Sequence, residues 1–184
     1  MKKWRMASGL LMVMGLMACK GNHSGAQIIQ KMQVQDGQIT YDGRVFKVDW
    51  APEEQTFTGD VRAILSEYNP YAPFNTHVLF LTTGVYSNPE IVSVTPEGKV
   101  QLHPEKITEK ANGEVYTLHL APMTLADYRR IEDIQVGQKL AITVLLETDG
   151  KITDDQGKYI QYASDPHKGR SLLRVVDIQE AAGL

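Results

Sequence analysis

The side chains that could do chemistry are few and scattered. Five histidines, His23, His77, His103, His119 and His167, stand far apart in the chain, and no two are at i, i+2 or i, i+4. That spacing gives no local pair of metal ligands. Asp149, Asp154 and Asp155 crowd the turn-rich stretch Thr148 to Lys158, but Lys151 and Thr153 fall where a calcium loop needs oxygen ligands. None of Ser66, Ser87, Ser93, Ser164 and Ser171 lies in a Gly-x-Ser-x-Gly elbow. Ser164, Asp165 and His167 are neighbours in sequence, whereas the members of a hydrolytic triad come from separate loops. No Gly-rich phosphate loop is present either, because Gly21 and Gly25 lack the following Lys-Ser/Thr. The residue types therefore predict no catalytic site, no metal site and no cofactor.

A different stretch predicts contact with another molecule. Tyr68-Asn-Pro-Tyr71-Ala-Pro-Phe74-Asn75 places three aromatics and two prolines in one loop. Proline restricts the loop, so binding would cost less ordering entropy. Tyrosine is enriched where interfaces concentrate their energy. Loop aromatics also serve as core lids, but the expectation carried forward is a partner-binding surface of Tyr68, Tyr71, Phe74 and, from a neighbouring loop, Tyr86. Tyr159, Tyr162, His167, Lys168 and Arg170 make a second, weaker patch.

The first twenty residues carry an address. Lys2, Lys3 and Arg5 precede an apolar run from Leu10 to Met17. That run is too short for a spanning helix, which needs roughly 20 residues. A charged start, a short apolar core and a small residue before the cut are the parts of a secretory signal. Leu16-Met17-Ala18-Cys19 resembles a lipobox, the recognition sequence of bacterial lipoprotein signal peptides; Met17 stands where Ala, Ser or Gly is more usual. The resemblance implies that Cys19 is diacylated on sulfur, that the chain is cut before it, and that the new amino group is acylated. Several acyl chains on one residue give durable anchoring where a single chain is marginal. Lys20, rather than Asp, follows the cysteine. By the same resemblance this favours the outer membrane, with the protein lipid-anchored on its periplasmic face.

Removing the leader changes the balance of charge. Three of the 19 basic residues leave with it, so 16 remain against 22 acids, a formal charge of −6. Such a chain has no electrostatic footprint for nucleic acid or anionic lipid. Cys19 is the single cysteine. Once it is lipidated, disulfides, thiol nucleophiles and Cys-zinc sites are excluded, and core packing must supply the stability.

The positioning elements read as short strands. Asp42-Gly43 suits a type I′ turn, pairing Tyr41 with Arg44 and Ile39 with Phe46. Pro96-Glu97-Gly98 suits a three-residue loop with a bulge, pairing Val94 with Val100 and Val92 with Leu102. Asn112-Gly113 predicts a third hairpin, pairing Glu109 with Tyr116 and Ile107 with Leu118. Residues 56–65, 76–83, 139–148 and 171–178 read as further strands. Thr124 can cap a helix to Ile134, with Asp127 as a shortened capping box and Gly137 as the stop. Ile28, Ile29 and Met32 have the spacing of a short helix before the body.

The whole predicts a mainly β protein: an antiparallel β-sandwich or barrel of about eight to ten short strands with one short helix. Residues 1–18 form the lipoprotein signal peptide, 19–35 the lipidated cysteine and a polar tether, and 36–184 a single β-rich periplasmic domain. The expected role is non-catalytic binding or assembly, with a protein of the cell envelope as partner and no nucleic acid. Accessory subunits of envelope or secretion complexes and inhibitor or immunity proteins share this address and size. A carrier of a small apolar ligand is the alternative, predicting a cavity lined by residues such as Phe80 and Val144; a periplasmic hydrolase would instead set His77 or His119 against an acid.

Overall fold

The computed structural model describes residues 24–67, 72–148, 151–153, 159–161 and 171–181. Cys19, Tyr68, Tyr71, Tyr162, His167, Lys168 and Arg170 lie outside them. Helix α1 (Gly25–Lys31) leads into β1 (Gln33–Gln35), β2 (Gln38–Tyr41) and β3 (Arg44–Lys47). Next come the long β4 (Trp50–Ser66) and β5 (His77–Thr82), then a hairpin of β6 (Val92–Val94) and β7 (Val100–Leu102). The chain continues through β8 (Val115–Ala121), α2 (Leu125–Glu132), β9 (Lys139–Glu147), β10 (Lys151–Thr153), β11 (Tyr159–Gln161) and β12 (Ser171–Glu180). The protein is mainly β, as its turn spacing predicts, and α1 forms where Ile28 and Ile29 have helical spacing.

Five strands close into a barrel in the order β12-β8-β5-β4-β9. All neighbours run antiparallel except β8 and β12, which are parallel. With α2 between its third and fourth strands, this is the arrangement of the OB-fold, a five-stranded Greek-key barrel.

Closure depends on β4. Its first part pairs with β9 from Trp50 to Asp60, and its second part pairs with β5 from Asp60 to Ser66. Bulges between Trp50 and Glu54 and between Val61 and Ala63 bend it around the corner. Gly59 sits at the turn-over. A Cβ there would stand 2.7 Å from the Thr82 carbonyl oxygen, so only glycine lets the two backbones approach.

Leu79, Leu81, Leu118, Leu120, Ile142, Val144 and Leu173 fill the interior, and Ile131 and Ile134, from α2 and just beyond it, close one end. A second core lies beside the barrel. Ile28, Ile39, Tyr41, Phe46, Val48, Ala72, Phe74 and Leu172 form it, between α1, the β2–β3 hairpin and the barrel. The Phe46 and Phe74 rings meet edge to face at 5.4 Å.

The local chemistry explains the elements. Thr124 and Asp127 form the expected reciprocal cap of α2, each side chain accepting from the other's backbone N–H at 3.1 Å. Ser24 and Gln27 do the same for α1. Asp42 and Gly43 have φ of 50° and 74°, the type I′ values, and the predicted pairs Tyr41–Arg44 and Ile39–Phe46 form. Val92–Leu102 and Val94–Val100 pair as the bulged loop requires.

Two expectations are corrected. The polar tether does not run to Gln35: Ile28 is 2% exposed in the second core, and β1 pairs with β2 across an Asp36-Gly37 turn of the same type. The Asn112-Gly113 hairpin does not form. Tyr116 and Leu118 pair instead with Leu81 and Leu79 of β5, whose side chains are fully buried in the barrel. Gly113 serves a close crossing, where a Cβ would collide with the Thr83 carbonyl oxygen.

Gly59→Ala should therefore overpack the barrel corner and cost about 1–3 kcal/mol. The urea midpoint should fall with the slope unchanged; an unaltered midpoint would show that the corner relaxes without cost.

Candidate functional site

β5 is buried on both faces along its whole length. Leu79 and Leu81 point into the barrel, which turns Val78 and Phe80 outward. Ile64 and Leu65 of β4 and Thr117 and His119 of β8 stand beside them, and the Pro96–Gly98 turn with Val100 forms a wall. Together they enclose an open cleft of about 640 Å³ on the outer face of β4, β5 and β8. Gly98 holds the wall in place: its φ is +78°, and a Cβ there would come within 2.9 Å of Leu65 Cδ1.

Glu67 lies at the cleft's margin. Its Oε2 is 3.2 Å from His119 Nδ1 and accepts from Asn75 Nδ2 at 3.3 Å. Glu97 on the turn is the other acid, its carboxyl held below the usual range chiefly by a hydrogen bond involving Thr95. Among the described lining residues the ionisable groups are Glu67, Glu97 and His119, with no Lys or Arg.

His77 makes a second acid–histidine contact on the barrel's capped end. Its Nε2 is 2.7 Å from Glu132 Oε1 of α2, its Nδ1 is 2.9 Å from the Thr76 hydroxyl, and its ring lies 5.4 Å from that of Tyr128. Nε2 donating to the carboxylate leaves Nδ1 to accept from Thr76, so a neutral imidazole is fully satisfied. Burial pushes the His77 pKa below its ordinary value, against the pull of Glu132. Burial also raises the Tyr128 hydroxyl, with the Glu132 charge adding to it.

No protein-family model matches this chain, and no curated protein matches it. The geometry alone carries the reading.

Two of the four residues expected to form one binding surface, Phe74 and Tyr86, are described, and they lie apart. Phe74 is 0% exposed and is a core residue, not an exposed contact, because its ring completes the second core against Phe46. Tyr86 is half-buried in the 3-10 turn Gly84–Ser87, beyond the far end of β5. Five residue steps along β5, about 17 Å, divide it from the loop that bears Phe74. Tyr68 and Tyr71 are outside the described residues. Sequence spacing missed Glu67, His119, Glu132 and His77 as partners, because 52 and 55 residues separate the members of each pair. Among the described residues, no three His, Cys, Asp or Glu side chains gather to hold a metal.

Phe74→Ala should behave as a core truncation and cost about 3–5 kcal/mol. Retained thermal stability would return Phe74 to the surface.

The folded protein binds fewer protons at His77 than the unfolded chain does, so this group makes stability rise with pH. The loss should set in as pH falls through about 6.5, the unfolded value. Urea midpoints at pH 7.5 and 5.5 should differ more for the wild type than for His77→Gln; equal differences would remove His77 from the pH response.

Proposed function

We propose that this chain is a lipid-anchored envelope lipoprotein with a non-catalytic binding role, and that it seats a segment of another envelope protein in the cleft of β4, β5 and β8. One observation carries the reading: barrel closure leaves Val78 and Phe80 facing outward on the floor of a walled cleft of about 640 Å³. In OB barrels the corresponding face and its adjoining loops bind extended ligands. The fold does not choose the ligand; the lining does. Apolar strands with Glu67 and Glu97 at the margins suit an apolar segment that carries a basic residue. The same charges, with the formal −6 of the leaderless chain, disfavour a polyanion. Tyr68 and Tyr71 belong to this reading because they follow Glu67 directly in the sequence. Cys19 supplies the anchor, at the periplasmic face of the outer membrane.

The carrier alternative has less support. Phe80 floors the external cleft while Val144 lies in the packed interior, so the two do not share a ligand cavity. Of the two acid-paired histidines a hydrolase could use, His77 is 2% exposed and out of a substrate's reach.

A photo-reactive amino acid at Val100, on the cleft wall, and another at Val136, exposed outside the lining, separate this reading from non-specific contact. In intact cells the Val100 probe should capture one envelope protein that the Val136 probe does not. Thr117→Arg, which places a cation on the cleft's lining, should cut that capture tenfold or so, about 1.4 kcal/mol, at an unchanged folded level. Equal capture at both positions, or indifference to Thr117→Arg, would defeat the cleft as the binding site.

A further inference from the structure

We propose that the end of the barrel bearing Ser24 lies against the phospholipid headgroup surface, so that the cleft serves partners embedded in or lying on the same membrane. The proposal rests on the lipidation of Cys19 set out above. Five residue steps separate Cys19 from Ser24. At no more than ~3.6 Å per residue, they reach about 18 Å however they are arranged.

No slack follows Ser24. Its hydroxyl caps α1 in a reciprocal box with Gln27, and Ile28 is 2% exposed in the second core. Gly25 touches α2: a Cβ there would stand 2.5 Å from Tyr128 Cε2. Ser24 is therefore held firmly to the barrel, and a lipid on Cys19 keeps that point within one short reach of the bilayer.

What surrounds that point is known. Ser24 and Gly25 line a small cleft of about 270 Å³ with Glu67, Tyr128 and Glu132 among its other walls. Glu67 also lines the large cleft. The anchoring point and the candidate binding site thus share a residue, while the far end of β5 stands about 17 Å further along the strand. The lining of the small cleft includes two carboxylates and no Lys or Arg. Charge offers no attraction to anionic headgroups here, so covalent reach, rather than a basic patch, sets the orientation. Proximity should accordingly survive high salt.

The test uses the full-length lipidated protein in phosphatidylethanolamine–phosphatidylglycerol vesicles. One fluorophore sits at Ser66→Cys, beside Glu67, and in a second protein at Ala111→Cys, exposed next to the Asn112 that bonds Val85 at the far end. Quenching by a headgroup nitroxide should be roughly twofold or more stronger at residue 66, given the ~17 Å between the two ends of β5. Raising the salt should leave that difference in place. A Gly/Ser spacer of ~20 residues between Asn22 and His23, with a root-mean-square reach of about 25 Å, should abolish it. Equal quenching at native tether length, on protein whose mass shows the acyl chains, overturns the orientation alone. Protein without the acyl mass overturns the lipoprotein reading and this proposal with it.

Discussion

Everything in this structure depends on one strand having two partners. β4 pairs with β9 along its first part and with β5 along its second, and that double pairing closes the barrel. Closure removes the open edges that a five-stranded sheet would otherwise expose. It also sets the two faces of β5. Leu79 and Leu81 go inside, so Val78 and Phe80 must go outside, and a floor of apolar residues is left under the β6–β7 hairpin. The cleft is thus a by-product of register, since side chains alternate along a strand. Gly59 permits the bend and Gly98 permits the wall, each where a Cβ would meet another part of the chain.

The second core fastens the N-terminal elements to the barrel. Ile28 from α1, Phe46 and Val48 from the hairpin and Phe74 from the loop after β4 are buried together. Each fully buried large apolar side chain contributes about 1.5–3 kcal/mol. These contacts dock the segment that leads from Cys19 onto the barrel near Glu67. In doing so they place Ser24, the start of the described chain, at the end of the barrel where the cleft opens.

His77–Glu132 and His119–Glu67 show how environment divides similar acid–histidine pairs. His77 is enclosed between β5 and α2, where desolvation disfavours its charged form and the hydrogen bonds suit a neutral ring. His119 and Glu67 stand at a solvent-reached cleft, their side chains 16% and 36% exposed. The first pair ties α2 to the barrel; the second lines the solvent-open cleft.

Much of the local structure was legible in the sequence because its causes are local. Asp42-Gly43 needs positive φ at both residues, Pro96-Glu97-Gly98 needs a bulge, and Thr124 with Asp127 caps a helix; each determined its turn, register or helix start. Alternation of apolar residues determined the β-rich class. Asp36-Gly37 carried the same turn signal, but the polar residues around it hid a strand. What only the tertiary structure decided was which strands meet and which side chains face one another. Asn112-Gly113 reads as a hairpin turn, but β8 pairs with β5 rather than with residues 107–109. Phe74 could be read as a core lid or as an exposed loop aromatic; its burial with Phe46 and Ile28 makes it part of the core. His119 meets Glu67 across 52 residues, a distance over which sequence spacing carries no information. Local conformational preference is written residue by residue, but a site assembled from distant strands exists only once closure has paid the entropy of bringing them together.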